Sequence, residues 1–323
     1  MGEGNGHSAD RGRSDEPFIH QVCVYDRDAE FLATAVPFVQ EGLVRDEPVL
    51  AVTSAANMLL LAGALGAVAT RVHFVGNCGW YRRPATTLSA YAQYVDACSA
   101  RPGRVRVIGE PVWTGRSPRE VLDWKLYESA LNVACATLRA WVICPYDARV
   151  VDADVVADAL RTHPDQVAGG RLFPSPEFVD PPDFFRTWEG AFFAEPPADA
   201  SILPFTGDLH SIRSFTTAQA IGNGVPADRA AVFGAAASEV AGYLSGFGGG
   251  RAAVQVWTVH NEIACDVHDP DAQVPEAVLG YRPPGPEPSL GDCMWFVRQV
   301  CDFVHVASCG PGARIRIWLR HRG

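Results

Sequence analysis

From residue 19 to about residue 174, short apolar runs rich in β-branched residues alternate with longer amphipathic ones. The runs at 19–25, 48–53, 71–75, 104–108 and 141–144 have the length and composition of buried strands. Between and after them, stretches near 29–44, 55–65, 86–100, 118–136 and 153–162 have helical spacing. Five strands, each followed by a helix, predict a parallel sheet wound on both faces. The pattern breaks at 175–206, where Pro174, Pro176, Pro181, Pro182, Pro196 and Pro197 argue against regular helix or sheet interior. Phe178, Phe184, Phe185, Trp188, Phe192 and Phe193 punctuate the same stretch. So many large apolar side chains imply a segment that packs, with a short helix near 182–194 docked at an interdomain seam. Beyond it, 209–221 and 227–245 predict two helices, and 253–259, 262–267, 304–308 and 313–319 predict strands. Gly291 opens a further helix, along which Trp295, Val297, Val300 and Val304 recur at helical spacing.

Length and composition fit this two-part plan. A chain of 323 residues with 48% hydrophobic content suggests about two globular domains. The expected division is a leader at 1–17, a first domain at 18–174, a linker at 175–206 and a second domain at 207–323. The leader is polar and Gly-rich and lacks the apolar core of a signal peptide, which predicts a disordered start to a cytoplasmic protein. No run approaches the roughly 18 apolar residues of a membrane span. A formal charge of −10 with one dense basic cluster, Arg314, Arg316, Arg320 and Arg322, argues against a nucleic-acid face. That cluster is expected on a solvated terminal strand. Nine cysteines, Cys309 among them, contain no Cys-x-x-Cys and are expected to be reduced, buried hydrophobes rather than a zinc site or a disulfide framework. Cys293, at a helix N-terminus, could instead carry a lowered pKa and sense redox state.

The strand ends supply the candidate chemistry. Tyr25 and Asp26 follow the first strand, Thr53 and Ser54 the second, and Gly76, Asn77, Trp80 and Tyr81 the third. Gly109-Glu110-Pro111-Val112-Trp113 follows the fourth, and Cys144-Pro145-Tyr146-Asp147 ends the fifth. Ligands of doubly wound sheets sit at this rim, and apolar walls with a few polar fixtures suit a small organic molecule. Glu110 beside Trp113 is the principal expectation, since an acid there has few structural duties. Glu128 and Asn132 share a helix face with Trp124, where they either bind a ligand or cap buried strand ends. His20 is either a ligand residue or a satisfied core histidine, and His163-Pro164 ends a helix. No nucleotide phosphate loop is present in this half. Gly246-Phe247-Gly248-Gly249-Gly250 follows a helix and reads as its stop.

His20, the run Pro37 to Leu43, Gly109 to Trp113, Tyr127 to Asn132, Cys144 to Asp147 and His163-Pro164 together resemble the methanogen and methylotroph sensory domain, MEDS. The resemblance implies a RecA-like fold without the phosphate loop, and sensing of small hydrocarbon derivatives coupled to a regulatory output. The expected ligand-binding set is His20, Tyr25, Thr53, Trp80, Glu110, Trp113, Glu128, Asn132, Tyr146 and Asp147, with no metal.

From Leu209 onward the order of elements resembles the ATP-binding fold of sensor histidine kinases, gyrase-type ATPases and anti-sigma serine kinases, an α/β sandwich. Glu239 matches that family's water-ordering Glu, but Tyr243 stands at its Mg²⁺-binding Asn. Asp269 matches the adenine-binding Asp, with Asp271 at the following glycine. Gly291 matches the first glycine of the phosphate loop, while Asp292, Cys293 and Met294 fill the next places. An anion at a helix N-terminus opposes phosphate binding, and a Cβ at a glycine position obstructs close approach. The expectation is a retained fold with weakened or abolished ATP hydrolysis and no firm cofactor, ATP with Mg²⁺ being the alternative. Three functions follow. The first is a cytoplasmic signalling protein that senses a small organic ligand and acts on a regulatory protein of the sigma-factor or anti-sigma-antagonist class, with homodimerisation open and neither nucleic acid nor membrane as partner. The second is an active serine kinase, and the third an enzyme using Glu110, Glu128 and Asp147 as acid–base groups.

Overall fold

The computed structural model describes residues 18–205, 207–248, 252–275, 278–285, 287–307 and 312–321. The expected leader, Cys309, Arg322 and the last two glycines of the 246–250 run lie outside them. The chain is mixed α/β and divides between Pro181 and Pro182 into two compact units.

The first unit runs β1 (Phe18–Tyr25), α1 (Asp28–Val44), β2 (Val49–Thr53), α2 (Ala55–Leu65), β3 (His73–Gly76), α3 (Asn77–Trp80), α4 (Pro84–Ala97), β4 (Val105–Gly109), α5 (Pro118–Ala134), β5 (Ala140–Asp147), α6 (Ala153–Thr162), β6 (Asp165–Ala168) and β7 (Arg171–Pro174). The strands lie in the order β3-β2-β4-β5-β1-β6-β7. All pairs are parallel except β6 with β7. β2 and β4 are buried at every residue, as parallel strands covered on both faces must be. Local chemistry sets the helix limits. Ser54 caps α2, Ser117 and Glu120 form a capping box on α5, and His163 before Pro164 is extended and ends α6.

A buried cation pins α1 to the sheet. Arg106 of β4 is fully buried between the rings of Phe38 and Trp141, 4.9 and 4.6 Å from their centroids. Its Nε donates to Glu47 at 2.6 Å, and one terminal nitrogen donates to the Phe38 carbonyl and to Glu41. Gly42 is needed for this approach, because a Cβ there would stand 2.6 Å from Arg106 Cδ.

The division falls one residue into α7 (Pro181–Trp188), and the second unit goes on with β8 (Ser201–Pro204), α8 (Leu209–Gly222), α9 (Ala227–Ser245), β9 (Ala253–Val259), β10 (Glu262–Asp269), α10 (Asp292–Val300), β11 (Phe303–Ala307) and β12 (Ala313–Arg320). Its separate sheet is antiparallel, in the order β11-β12-β10-β9-β8. Ile212, Phe233, Val240, Leu244, Met294 and Val297 of the helices share one core with Val254, Ile263, Val267, Ile315 and Ile317 of the strands. Trp257, Ala264, Phe303 and Trp318 form a smaller cluster.

Several expectations change. β6 and β7 add a hairpin to the five expected strands, turning at Gly169 and Gly170, both with positive φ. The proline-rich stretch contains β8, a strand at the sheet edge ending at Pro204, where proline is tolerated. The helix expected near 182–194 is helical only to Trp188 and continues as a 3-10 turn, Glu189–Phe192. Val304 belongs to β11, not to α10, which stops at Val300. Within the basic cluster, Arg316 is not solvated. Arg316 is 2% exposed, binds the Asp266 carboxylate and donates to the carbonyls of Phe192 and Ala194. Arg320 pairs with Glu262. Among the described residues, no helix is long and apolar enough to cross a membrane.

Candidate functional site

The topology opens a crevice before any side chain is considered. With right-handed crossovers, the connections from β1 and β2 leave toward one face of the sheet and those from β3, β4 and β5 toward the other. β2 and β4 are neighbours whose chains therefore part at their C-terminal ends, as do β5 and β1, and such points are where ligands bind. A cavity of about 530 Å³ lies there, lined from the ends of all five of these strands.

Glu110 is its organising residue. Its Oε2 accepts from the Thr53 hydroxyl, from the Ser54 backbone N–H at 2.8 Å and from Asn57 Nδ2 at 3.1 Å. The carboxylate thus sits at the N-terminus of α2, where a negative charge is favoured. Asn57 Nδ2 also donates to the Tyr25 hydroxyl at 2.8 Å, and Asn77 Nδ2 donates to the Glu110 carbonyl at 3.2 Å. Glu110 therefore carries structural duties that its place in the sequence does not announce. Its Oε1 accepts no hydrogen bond among the described residues. Burial raises the Tyr25 phenol well above its ordinary range, so it stays a neutral hydroxyl. Opposite, Arg149 donates to Asp147 at 2.7 Å and to Asp28 at 2.8 Å, which holds the Asp147 carboxyl below its usual range. Leu60, Pro111, Val112, Trp113, Pro145 and Val151 complete largely apolar walls.

Tyr25, Glu110, Trp113 and Asp147 line the cavity. Thr53 reaches it through Glu110, and Tyr146 is buried behind Trp113, ring centroids 5.9 Å apart. Trp80 packs on Tyr91 instead, at 5.3 Å. His20, Glu128 and Asn132 lie elsewhere, in a buried cluster between the sheet and α5 and α6. His20 and Cys144 project from the same face of β1 and β5, Glu128 comes from α5 and His163 follows α6. Glu128 Oε2 is 3.5 Å from His20 Nε2 and 3.4 Å from His163 Nε2, and Cys144 Sγ is 3.4 Å from His20 Nε2. Burial, then the His163 charge, lowers His20 to about 4. Burial alone would raise Glu128, but the neighbouring His163 and His20 prevail and hold it at about 2. Because Glu128 is outside the cavity, the trio Glu110, Glu128 and Asp147 is not assembled in one site. Asn57 and Arg149 were missed from sequence, and Asn77 was named at the rim but not in the ligand-binding set. Asn57 and Arg149 lie beyond the strand ends, while Asn77 stands at one, and only the Ser54 cap hints that a helix start faces the rim.

In the second unit Glu239 is exposed on α9, whereas Tyr243 is 2% exposed and packs on Phe247, ring centroids 5.0 Å apart. Asp269 is fully buried at the end of β10. One of its oxygens accepts the Asp271 N–H, and the other has no hydrogen-bond partner among the described residues. Gly291 precedes α10, and the Asp292 carboxylate folds back to accept the Ser289 N–H and hydroxyl. Cys293 does not show the lowered pKa that redox sensing needs. Burial, then the Glu239 charge, pushes its thiol up to about 11.

Residues 19–164 match the family model of MEDS, the MEthanogen/methylotroph, DcmR Sensory domain. The match runs from β1 to just past α6 and takes in both the strand-end cavity and the buried cluster. No curated protein matches the chain.

Proposed function

We propose that this protein is a signalling protein whose first unit senses a small organic molecule in the strand-end cavity and whose second unit passes the state on to a regulatory protein. The observation that carries the reading is the cavity itself, mostly apolar and holding one carboxylate oxygen that accepts no hydrogen bond from the described residues. A hydrogen-bond donor on a short carbon skeleton, as in an alcohol, amine or primary amide, would satisfy Glu110 Oε1 and lay its apolar part on Trp113. The match to a sensory family and the RecA-like strand order proposed for this unit support the same reading. Calorimetric titration with short alcohols, amines and amides tests it. At least one compound should bind the intact chain, and Trp113→Ala should weaken that binding at least tenfold while melting stays cooperative. Unchanged affinity in Trp113→Ala, or no binding by any compound, contradicts the assignment.

For the second unit, a kinase-like ATPase fold kept for recognition is the proposal. Tyr243 and Phe247 fill space beside α9, and Asp292 occupies the start of α10, where a triphosphate would need bare N–H groups. One observation favours residual nucleotide binding. The oxygen of buried Asp269 that has no hydrogen-bond partner among the described residues is the kind of acceptor an adenine amine requires. Melting in Mg-ATP and in ADP separates the readings. Stabilisation that grows logarithmically with nucleotide supports uptake, and phosphate transfer to a partner would establish the kinase.

A further inference from the structure

We propose that His20, Glu128, Cys144 and His163 hold one divalent transition-metal ion, zinc best fitting the donor set, in a closed site inside the first unit. The four donor atoms lie within 4.8 Å of one another and all four side chains are buried. Zinc bonds of about 2.0–2.1 Å to nitrogen and oxygen and about 2.3 Å to sulfur imply donor–donor edges of roughly 3.3–3.6 Å in a tetrahedron. Three of the six edges, at 3.5, 3.4 and 3.4 Å, fall in that range, and the other three lie within 4.8 Å.

The outer partners determine which way the imidazole lone pairs point. Asn132 Nδ2 donates to the carbonyls of Ser129 and Thr162, which fixes its amide and turns Oδ1 to His20 Nδ1 at 3.1 Å. An amide oxygen only accepts, so His20 carries its proton on Nδ1. The Ala159 carbonyl, 2.8 Å from His163 Nδ1, imposes the same tautomer there. Both Nε2 lone pairs therefore aim at the Glu128 carboxylate, and among the described residues neither Glu128 Oε2 nor His163 Nε2 has a hydrogen-bond partner. Four electron-rich groups facing one point, away from water, is an arrangement that a cation resolves, and imidazoles that donate Nδ1–H to a carbonyl oxygen are what metal sites use to orient their ligands. Charge closes as well. One carboxylate and one thiolate neutralise a divalent ion, two neutral imidazoles complete four-coordination, and the Cys144 thiol proton leaves to solvent as the metal–sulfur bond forms. With four protein ligands no position stays open, so the role is structural, tying β1, β5, α5 and the end of α6 together.

The full chain, stripped of metal and titrated with Co²⁺ and then Zn²⁺, tests this. Co²⁺ should bind at equimolar ratio with visible bands of tetrahedral intensity and a thiolate-to-cobalt charge-transfer band, and Zn²⁺ should displace it. Cys144→Ser should lose the charge-transfer band, and Asn132→Ala, outside the coordination sphere, should weaken Zn²⁺ affinity about 10- to 100-fold against a chelator. Wild-type protein that gives no charge-transfer band overturns the proposal whether or not the variants fold, leaving a buried His–Glu ion pair as the explanation. A band that survives Cys144→Ser overturns it too.

Discussion

Cys293 shows how a residue's surroundings outweigh its position. At the N-terminus of α10 a thiol gains from the helix dipole, and its sequence context alone suggests an acidified, reactive cysteine. In the fold it is half-buried, near the charges of Glu239 and Asp292, and those effects win. With its thiol pushed up to about 11, Cys293 should react with iodoacetamide at neutral pH roughly 100-fold or more slowly than a thiol of ordinary acidity. Exposed Cys78 should be modified first, which peptide mapping by mass spectrometry will show. Rapid labelling of Cys293 would restore the redox reading. Glu110 gives the complementary lesson. Its position at a strand end was legible, but its bonds to Ser54 and Asn57 arise only once the β2 and β4 ends are adjacent.

At the scale of elements, the apolar runs reveal β1, β2, β4 and β5 because each is buried on both faces, and the edge strand β3 is legible only from its short β-branched run. β6 and β7 escape the same reading. They are four residues long, and β7 is largely exposed, so no run of buried side chains marks them. The Gly169-Gly170 pair was the available signal. How α1 sits on the sheet depends on Arg106, and Arg106→Ala should cost about 3–5 kcal/mol in urea denaturation, because Glu47 would stay buried without its cation. A cost below about 1 kcal/mol would mean that Glu47 finds water instead. α5 and α6 are tied by Lys125, which reaches Asp154 at 2.7 Å and Asp158 at 2.9 Å. The lysine holds Asp154 below its usual range, so this contribution is complete above the unfolded carboxyl value of about 4 and fades as pH falls toward the lower folded value. The urea midpoint of the wild type should drop between about pH 5 and pH 3, and Lys125→Met should show a shallower acid limb. Parallel acid limbs would remove that role from the pair.

For the whole molecule, a cavity where strands from two directions part and a buried four-donor cluster lie in one unit, and both fall inside the segment that matches a sensory family. The rim could be anticipated from strand ends alone. The cluster could not, since its donors stand at positions 20, 128, 144 and 163 and no short spacing motif links them. The second unit has an antiparallel sheet with helices in a shared core, and an acid stands at the start of α10. The most direct measurement is a crystal structure of the chain grown with the tightest-binding alcohol, amine or amide from the titration. The account predicts electron density against Trp113 with the ligand's donor within hydrogen-bond distance of Glu110 Oε1. Density for that compound only elsewhere, with the strand-end cavity holding water alone, would contradict it.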